Sequence, residues 1–125
     1  MDKSPLLITA AVMAMVLISP VVAQAGARSH PLNENAALEL LERTLKHDRA
    51  YANRMSLNCI TYITEETTDA YFQSVLREIH NAECGGDPQT SPAVDRYRVY
   101  RQSAKIKWLE RIEDKWRAYD PAKIR

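Results

Sequence analysis

The chain is short of the residues from which metal and nucleophile sites are usually built. Of 125 residues, three are histidine and two are cysteine, and His30, His47 and His80 are scattered along the chain. A zinc site usually wants three or four ligands, so this supply predicts no metal centre. There is no G-x-S-x-G elbow of the kind that exposes a serine nucleophile, and no cofactor motif. Charge of one sign is lacking as well. Lys and Arg number 17 against 16 Asp and Glu, for a formal net charge of +1, which gives no general pull toward nucleic acid. No internal repeat and no low-complexity segment breaks the chain.

Long apolar runs are equally scarce. Leu6 to Ile18 is uncharged and apolar but ends at Ser19-Pro20, short of the roughly 20 residues that cross a bilayer. Lys3 and the amino terminus precede it, and Ala23 and Ala25 place small residues before Gly26. That pattern predicts a signal peptide over residues 1–25, cleaved before Gly26, and no membrane span thereafter. No cysteine follows the cut, which argues against a lipid anchor. The expected destination is the periplasm or the exterior. About 100 residues then remain, enough for one domain with a modest core.

Export makes the two cysteines informative. Cys59 and Cys84 allow one intramolecular pairing, and oxidising compartments favour it. Closing that loop would stabilise the fold by about 3–4 kcal/mol. The alternatives are a metal–thiolate pair or two free thiols.

Residues 26–35 read as a flexible lead-in, and residues 36–120 as one domain. From Ala36 to about Arg54, Leu38, Leu41, Leu45 and Ala52 recur at helical spacing, flanked by Tyr51 and Met55, with Asn33 or Asn35 able to cap the start. Leu57 to Thr64 is rich in β-formers. Ala70 to His80 is ambiguous, because Tyr71, Val75 and Ile79 recur every four residues, which suits a helix stripe or one side of a strand. Asp95 to Arg101 alternates, with Tyr97 and Val99 opposite Arg96, Arg98 and Tyr100. A polar turn, "QSAK", leads to Ile106 and Trp108, completing an expected hairpin. Leu109, Ile112, Trp116 and Tyr119 suggest a short closing helix before Pro121.

The stretch "REIHNAECGGDPQTSPAVDRYRVYR", followed by a turn and "IKW", resembles a family of small exported bacterial proteins that share E-x-H, then C-G-G-D-P-x-T-x-P, then a strand. The resemblance spans about Leu57 to Trp108 and is most specific at Cys84 to Pro88. It carries no activity with it. It implies that residues 70–80 form a strand. The family pattern more often has a glycine in the turn where this chain has "QSAK".

Two candidate sites follow. Glu78 and His80 share one face of a strand, and Asp87 can curl back toward them, a grouping able to orient a general base or bind a metal. The same loop also makes sense as a rigid corner: Gly85 and Gly86 permit positive φ, and Asp87 and Pro88 favour a turn. The second candidate is a basic face containing Arg96, Arg98 and Tyr100, with Lys105 and Lys107 beside them. The expected fold is α+β, an amino-terminal helix on a three- to four-stranded antiparallel sheet with one disulfide. Tyr97, Val99, Ile106 and Trp108 should share its core. The expected function is a non-enzymatic periplasmic or secreted binding protein, an inhibitor or immunity-type partner of another envelope protein or a binder of an anionic envelope polymer. The alternatives are a small envelope enzyme using Glu78, His80 and Asp87, and a structural component of the envelope.

Overall fold

A computed structural model describes residues 29–124; the expected signal peptide and its cleavage point lie outside them. The order is α1 (Glu34–His47), a single 3-10 turn (Leu57–Cys59), β1 (Ile60–Thr67), β2 (Tyr71–Glu78), β3 (Ala93–Tyr100), β4 (Ile106–Glu110), β5 (Lys115–Ala118) and α2 (Pro121–Ile124). The five strands form one antiparallel sheet in chain order, and α1 lies against β1, β2 and β3. The α+β class and the disulfide hold. The sheet has five strands rather than three to four, and the helix begins well inside the chain rather than at its start.

α1 starts where Asn33 caps it, its side chain accepting the Ala36 N–H at 2.8 Å. It stops at His47, short of the Arg54 that the apolar spacing suggested. Arg49 adopts φ 52°, and Ala50 N–H reaches back to the Leu45 carbonyl at 3.1 Å. This left-handed exit satisfies carbonyls at the helix end. Ala50 and Tyr51 are fully buried from within the following turn, so the apolar periodicity outlasts the helix that it marked. Leu32, in the expected lead-in, is also buried, and its N–H donates to the Arg101 carbonyl at 2.9 Å.

The extra strand comes from the expected closing helix. Lys107, Trp108, Leu109 and Glu110 of β4 pair with Ala118, Arg117, Trp116 and Lys115 of β5. The turn between them is held by Glu110, whose carboxylate accepts the Ile112 and Glu113 N–H groups at 2.9 and 2.8 Å; these bonds hold that carboxyl below its usual range. Ile112 is left 95% exposed at the tip. Its apparent place in a helical stripe was coincidental, and the pairing of β5 with β4 decided the outcome. Only Pro121–Ile124 is helical, and Ile124 is buried.

β3 places Tyr97 and Val99 inward, directly opposite Trp108 and Ile106. Tyr97, Val99 and Trp108 are buried, and Ile106 packs against that cluster. The core also holds a polar chain. Tyr51 donates its hydroxyl to the buried Asp95 carboxylate at 2.7 Å, which leaves Tyr97 to donate to Tyr51 at 2.6 Å. Burial first, then Tyr97 and Asp95, pushes the Tyr51 hydroxyl far above its ordinary range. Asp95 is further met by Arg111 at 3.2 Å and Arg54 at 3.7 Å. Tyr51→Phe would remove the hydroxyl donor from the buried Asp95 carboxylate and the acceptor from the buried Tyr97 hydroxyl, and should lower the unfolding free energy by about 1–3 kcal/mol in urea titrations.

The turn between β3 and β4 is closed by Tyr100 N–H to the Lys105 carbonyl at 2.9 Å and by Ala104 N–H to the Tyr100 carbonyl at 2.8 Å. Ala104 takes φ 58°, the conformation that a glycine would adopt without steric penalty. Ala104→Gly should therefore raise stability by up to about 1 kcal/mol despite the entropy that glycine adds to the unfolded chain, read as a higher thermal midpoint.

Candidate functional site

The structure separates the two candidate groups. Glu78 and His80 lie at the disulfide corner, whereas Arg96, Arg98 and Tyr100 lie on the sheet face away from α1.

At the corner, Cys59 and Cys84 are bonded, with Cα atoms 5.6 Å apart. The backbone is stitched on both sides: Ile79 N–H donates to the Cys59 carbonyl at 2.8 Å and Glu78 N–H to the Pro92 carbonyl at 2.9 Å. Asn81 accepts the Glu83 and Cys84 N–H groups through its side chain. Gly85 and Gly86 follow at φ 77° and 82°. A Cβ at Gly86 would lie 2.5 Å from the His80 ring, so the ring rests directly on this glycine.

His80 is pinned at both nitrogens. Nε2 is 2.7 Å from the Glu78 carboxylate, and Nδ1 is 2.9 Å from the Asp87 carbonyl and 3.0 Å from Thr90 Oγ1. Thr90 spends its own proton on the Asp87 carbonyl. Every partner of the ring is thus an acceptor, which suits the doubly protonated imidazolium. The bond to Glu78, followed by that to Asp87, raises the His80 pKa. The Asp87 carboxylate does not join the pair; it accepts the Gln89 N–H at 2.9 Å, and only its backbone meets His80. A small cleft of about 210 Å³ borders Arg54, Glu78, His80 and the disulfide. Among the described residues, no group of three or more His, Cys, Asp and Glu converges to hold a metal.

The other face of the sheet has no layer over it among the described residues. Val75 points there opposite Ile63 and Arg96; it is 1% exposed yet stands apart from the core cluster, covered by its neighbours. Arg96 pairs with Glu65 at 2.9 Å, and that contact holds the Glu65 carboxyl below its usual range. Arg98 is placed differently. Its guanidinium lies between the rings of Tyr71 and Trp116, 4.3 and 4.1 Å from their centroids, and its Nε donates to Gln73 Oε1 at 3.0 Å. Directly across the ladder is Lys107, whose ammonium lies 5.3 Å from the Tyr100 ring centroid. The Tyr71 and Tyr100 rings are themselves 5.7 Å apart.

Tyr71, Gln73 and Trp116 were missed as members of this face. The Lys115–Ala118 alternation was the available signal for Trp116, but helical spacing in the same segment concealed it. Set against protein-family models, curated proteins and solved structures, the chain matches none of them.

Because the folded-state pKa of His80 is raised, its charge stabilises the fold fully below the unfolded histidine value of about 6.5, and this contribution is lost as pH rises through the folded value. The difference in unfolding free energy between the wild type and His80→Gln should therefore be larger at pH 5.5 than at pH 8.5. Chemical denaturation at both values tests this, and a difference that grows with pH would contradict it.

Proposed function

We propose that this chain is a non-enzymatic binding protein that works after export, in the periplasm or outside the cell, and that its contact surface is the open sheet face around Arg98. The observation that carries the reading is the seating of Arg98. Two aromatic rings and Gln73 hold a half-buried cation in one orientation on a surface that no other element covers among the described residues. Arg and aromatic residues are the types most often found as binding anchors, and holding the side chain in place before contact lowers the entropy cost of association. Export is supported by the residue 1–25 pattern and by a disulfide of the kind that oxidising compartments maintain. A kinship with the small exported bacterial proteins that share C-G-G-D-P-x-T-x-P belongs to the same reading. The partner is an envelope protein or an anionic envelope polymer.

The Glu78–His80 pair beside its cleft favours the second reading, a small envelope enzyme. Both ring nitrogens are committed to partners within the corner, so His80 would have to leave one of them before it could take a proton from a substrate.

Immobilised oxidised protein should retain a reproducible partner from envelope extract. Arg98→Ala should lose that partner by at least ten-fold, whereas His80→Ala, once shown to be folded, should keep it. The reverse pattern would move the site to the corner, and turnover abolished by His80→Ala would replace binding with catalysis.

A further inference from the structure

We infer that the open sheet face recognises carboxylates of an acidic protein segment, and that Arg98 and Lys107 together form the receiving site. The inference rests on the reading of this face as the contact surface and adds the chemistry of what it contacts.

Three observations support it. Arg98 and Lys107 are directly opposed residues of an antiparallel pair, so their Cβ atoms stand about 4.5–5.5 Å apart, where like charges repel and destabilise the sheet. Among the described residues, neither has a carboxylate within ion-pair distance, although Arg96 on the same face is matched by Glu65. The carboxylate of Glu66 lies 3.4 Å from the Tyr71 hydroxyl and forms no ion pair with Arg98. An uncompensated pair of cations is thus maintained at the centre of the face, and an external anion would relieve it.

The geometry around Arg98 narrows the ligand. Rings flank the guanidinium and Nε is used by Gln73, which leaves the two terminal nitrogens as donors. Such a fork matches a planar carboxylate with two parallel hydrogen bonds. Lys107, one strand away, supplies a second cation for a neighbouring acidic group. We choose a protein carboxylate over a lipid phosphate because the rings are overlaid by cations rather than projecting beyond them, as membrane-inserting aromatics would.

The register also supplies a decisive variant. Ala118 is exposed and lies opposite Lys107 on β5. Ala118→Glu would place an internal carboxylate beside the uncompensated pair. It should raise the thermal midpoint, as should Lys107→Gln, while both weaken ligand binding; a face whose cations serve only the fold would not lose binding as stability rises.

The test uses the oxidised, isotope-labelled protein and three probes: a glutamate-rich decapeptide, a lysine-rich decapeptide and vesicles of phosphatidylglycerol. The expected result is a saturable shift of the Arg98 Nε–H and Trp116 Nε1–H signals with the glutamate peptide alone, weakened at least five-fold by Ala118→Glu and by Lys107→Gln. Arg98→Lys, which keeps the charge and removes the fork, should weaken it too. Absence of the shift, or a shift that the variants leave unchanged, would overturn the inference, and so would tighter binding to the vesicles. If partner capture depends on Arg98 while the glutamate peptide fails, the contact surface stands and the carboxylate chemistry falls. If capture is indifferent to Arg98, the underlying reading falls instead.

Discussion

The hydrogen-bonded chain from Tyr97 through Tyr51 to Asp95 is the constraint on which the fold closes. Asp95 and Tyr97 belong to the central strand, Tyr51 to the turn that leaves α1, Arg111 to the β4–β5 turn, and Arg54 reaches both Asp95 and the Ile124 carbonyl. One buried carboxylate therefore fixes where the helix exit, the last hairpin and the chain end meet β3. A buried charge of this kind is costly unless each lone pair finds a donor. Apolar packing could have held α1 on the sheet at many rotations; the directional bonds select one. The disulfide joins Cys59, just before β1, to the loop after β2, and Arg54, which meets Asp95, also borders the cleft beside it, so the covalent tie and the polar tie act at the same end of the sheet.

Much of this was legible where one-sided burial writes a period into the sequence. Tyr97, Val99, Ile106 and Trp108 alternate because β3 and β4 have one face on the core, and they fell where the alternation placed them. The disulfide followed from there being only two cysteines and from the expectation of an oxidising destination. Residues 70–80 were undecidable by period, because β2 is buried on both faces along Ser74, Val75 and Leu76, and a strand covered on both sides loses its alternation. The last hairpin failed for the opposite reason. Leu109, Ile112 and Trp116 match a helical stripe, yet Ile112 sits on a turn in solvent, and cross-strand pairing outweighed the local pattern. As for the site, Arg98 and Tyr100 were readable as an outward row. Trp116, which completes the arginine's setting, comes from a different strand, and only the sheet order brings it there.

The corner and the open face differ in how their polar groups are spent. At the corner, the Glu78 carboxylate, both His80 nitrogens, the Asp87 carbonyl and carboxylate, Thr90 and Ser91 are committed to bonds within the loop. Even the residues that looked most chemical are bonded within the loop that joins β2 to β3. On the open face, by contrast, the terminal nitrogens of Arg98 and the ammonium of Lys107 are held in position without an internal anion among the described residues. A group that is ordered but unspent is the kind through which a surface can gain energy on association, because the ordering cost is already met in the free protein.

The edges of the sheet bear on how a partner would approach. An open face with accessible edges invites strand addition from another chain. Here β1 is interrupted by a bulge between Thr64 and Glu66, with Glu65 and Glu66 at the break, and a bulge bends and twists an edge away from regular pairing. β5 spans only Lys115–Ala118, with Lys115 and Arg117 engaging Glu113 of the preceding turn. A short, charged strand is a poor template for extension. Both edges thus resist main-chain pairing, while Tyr71, Arg98, Trp116, Tyr100 and Lys107 present a surface formed by side chains. Recognition on this sheet is therefore expected from side chains meeting the flat of the face, where charge and shape select the partner, rather than from strand addition, which reads mainly the partner's backbone.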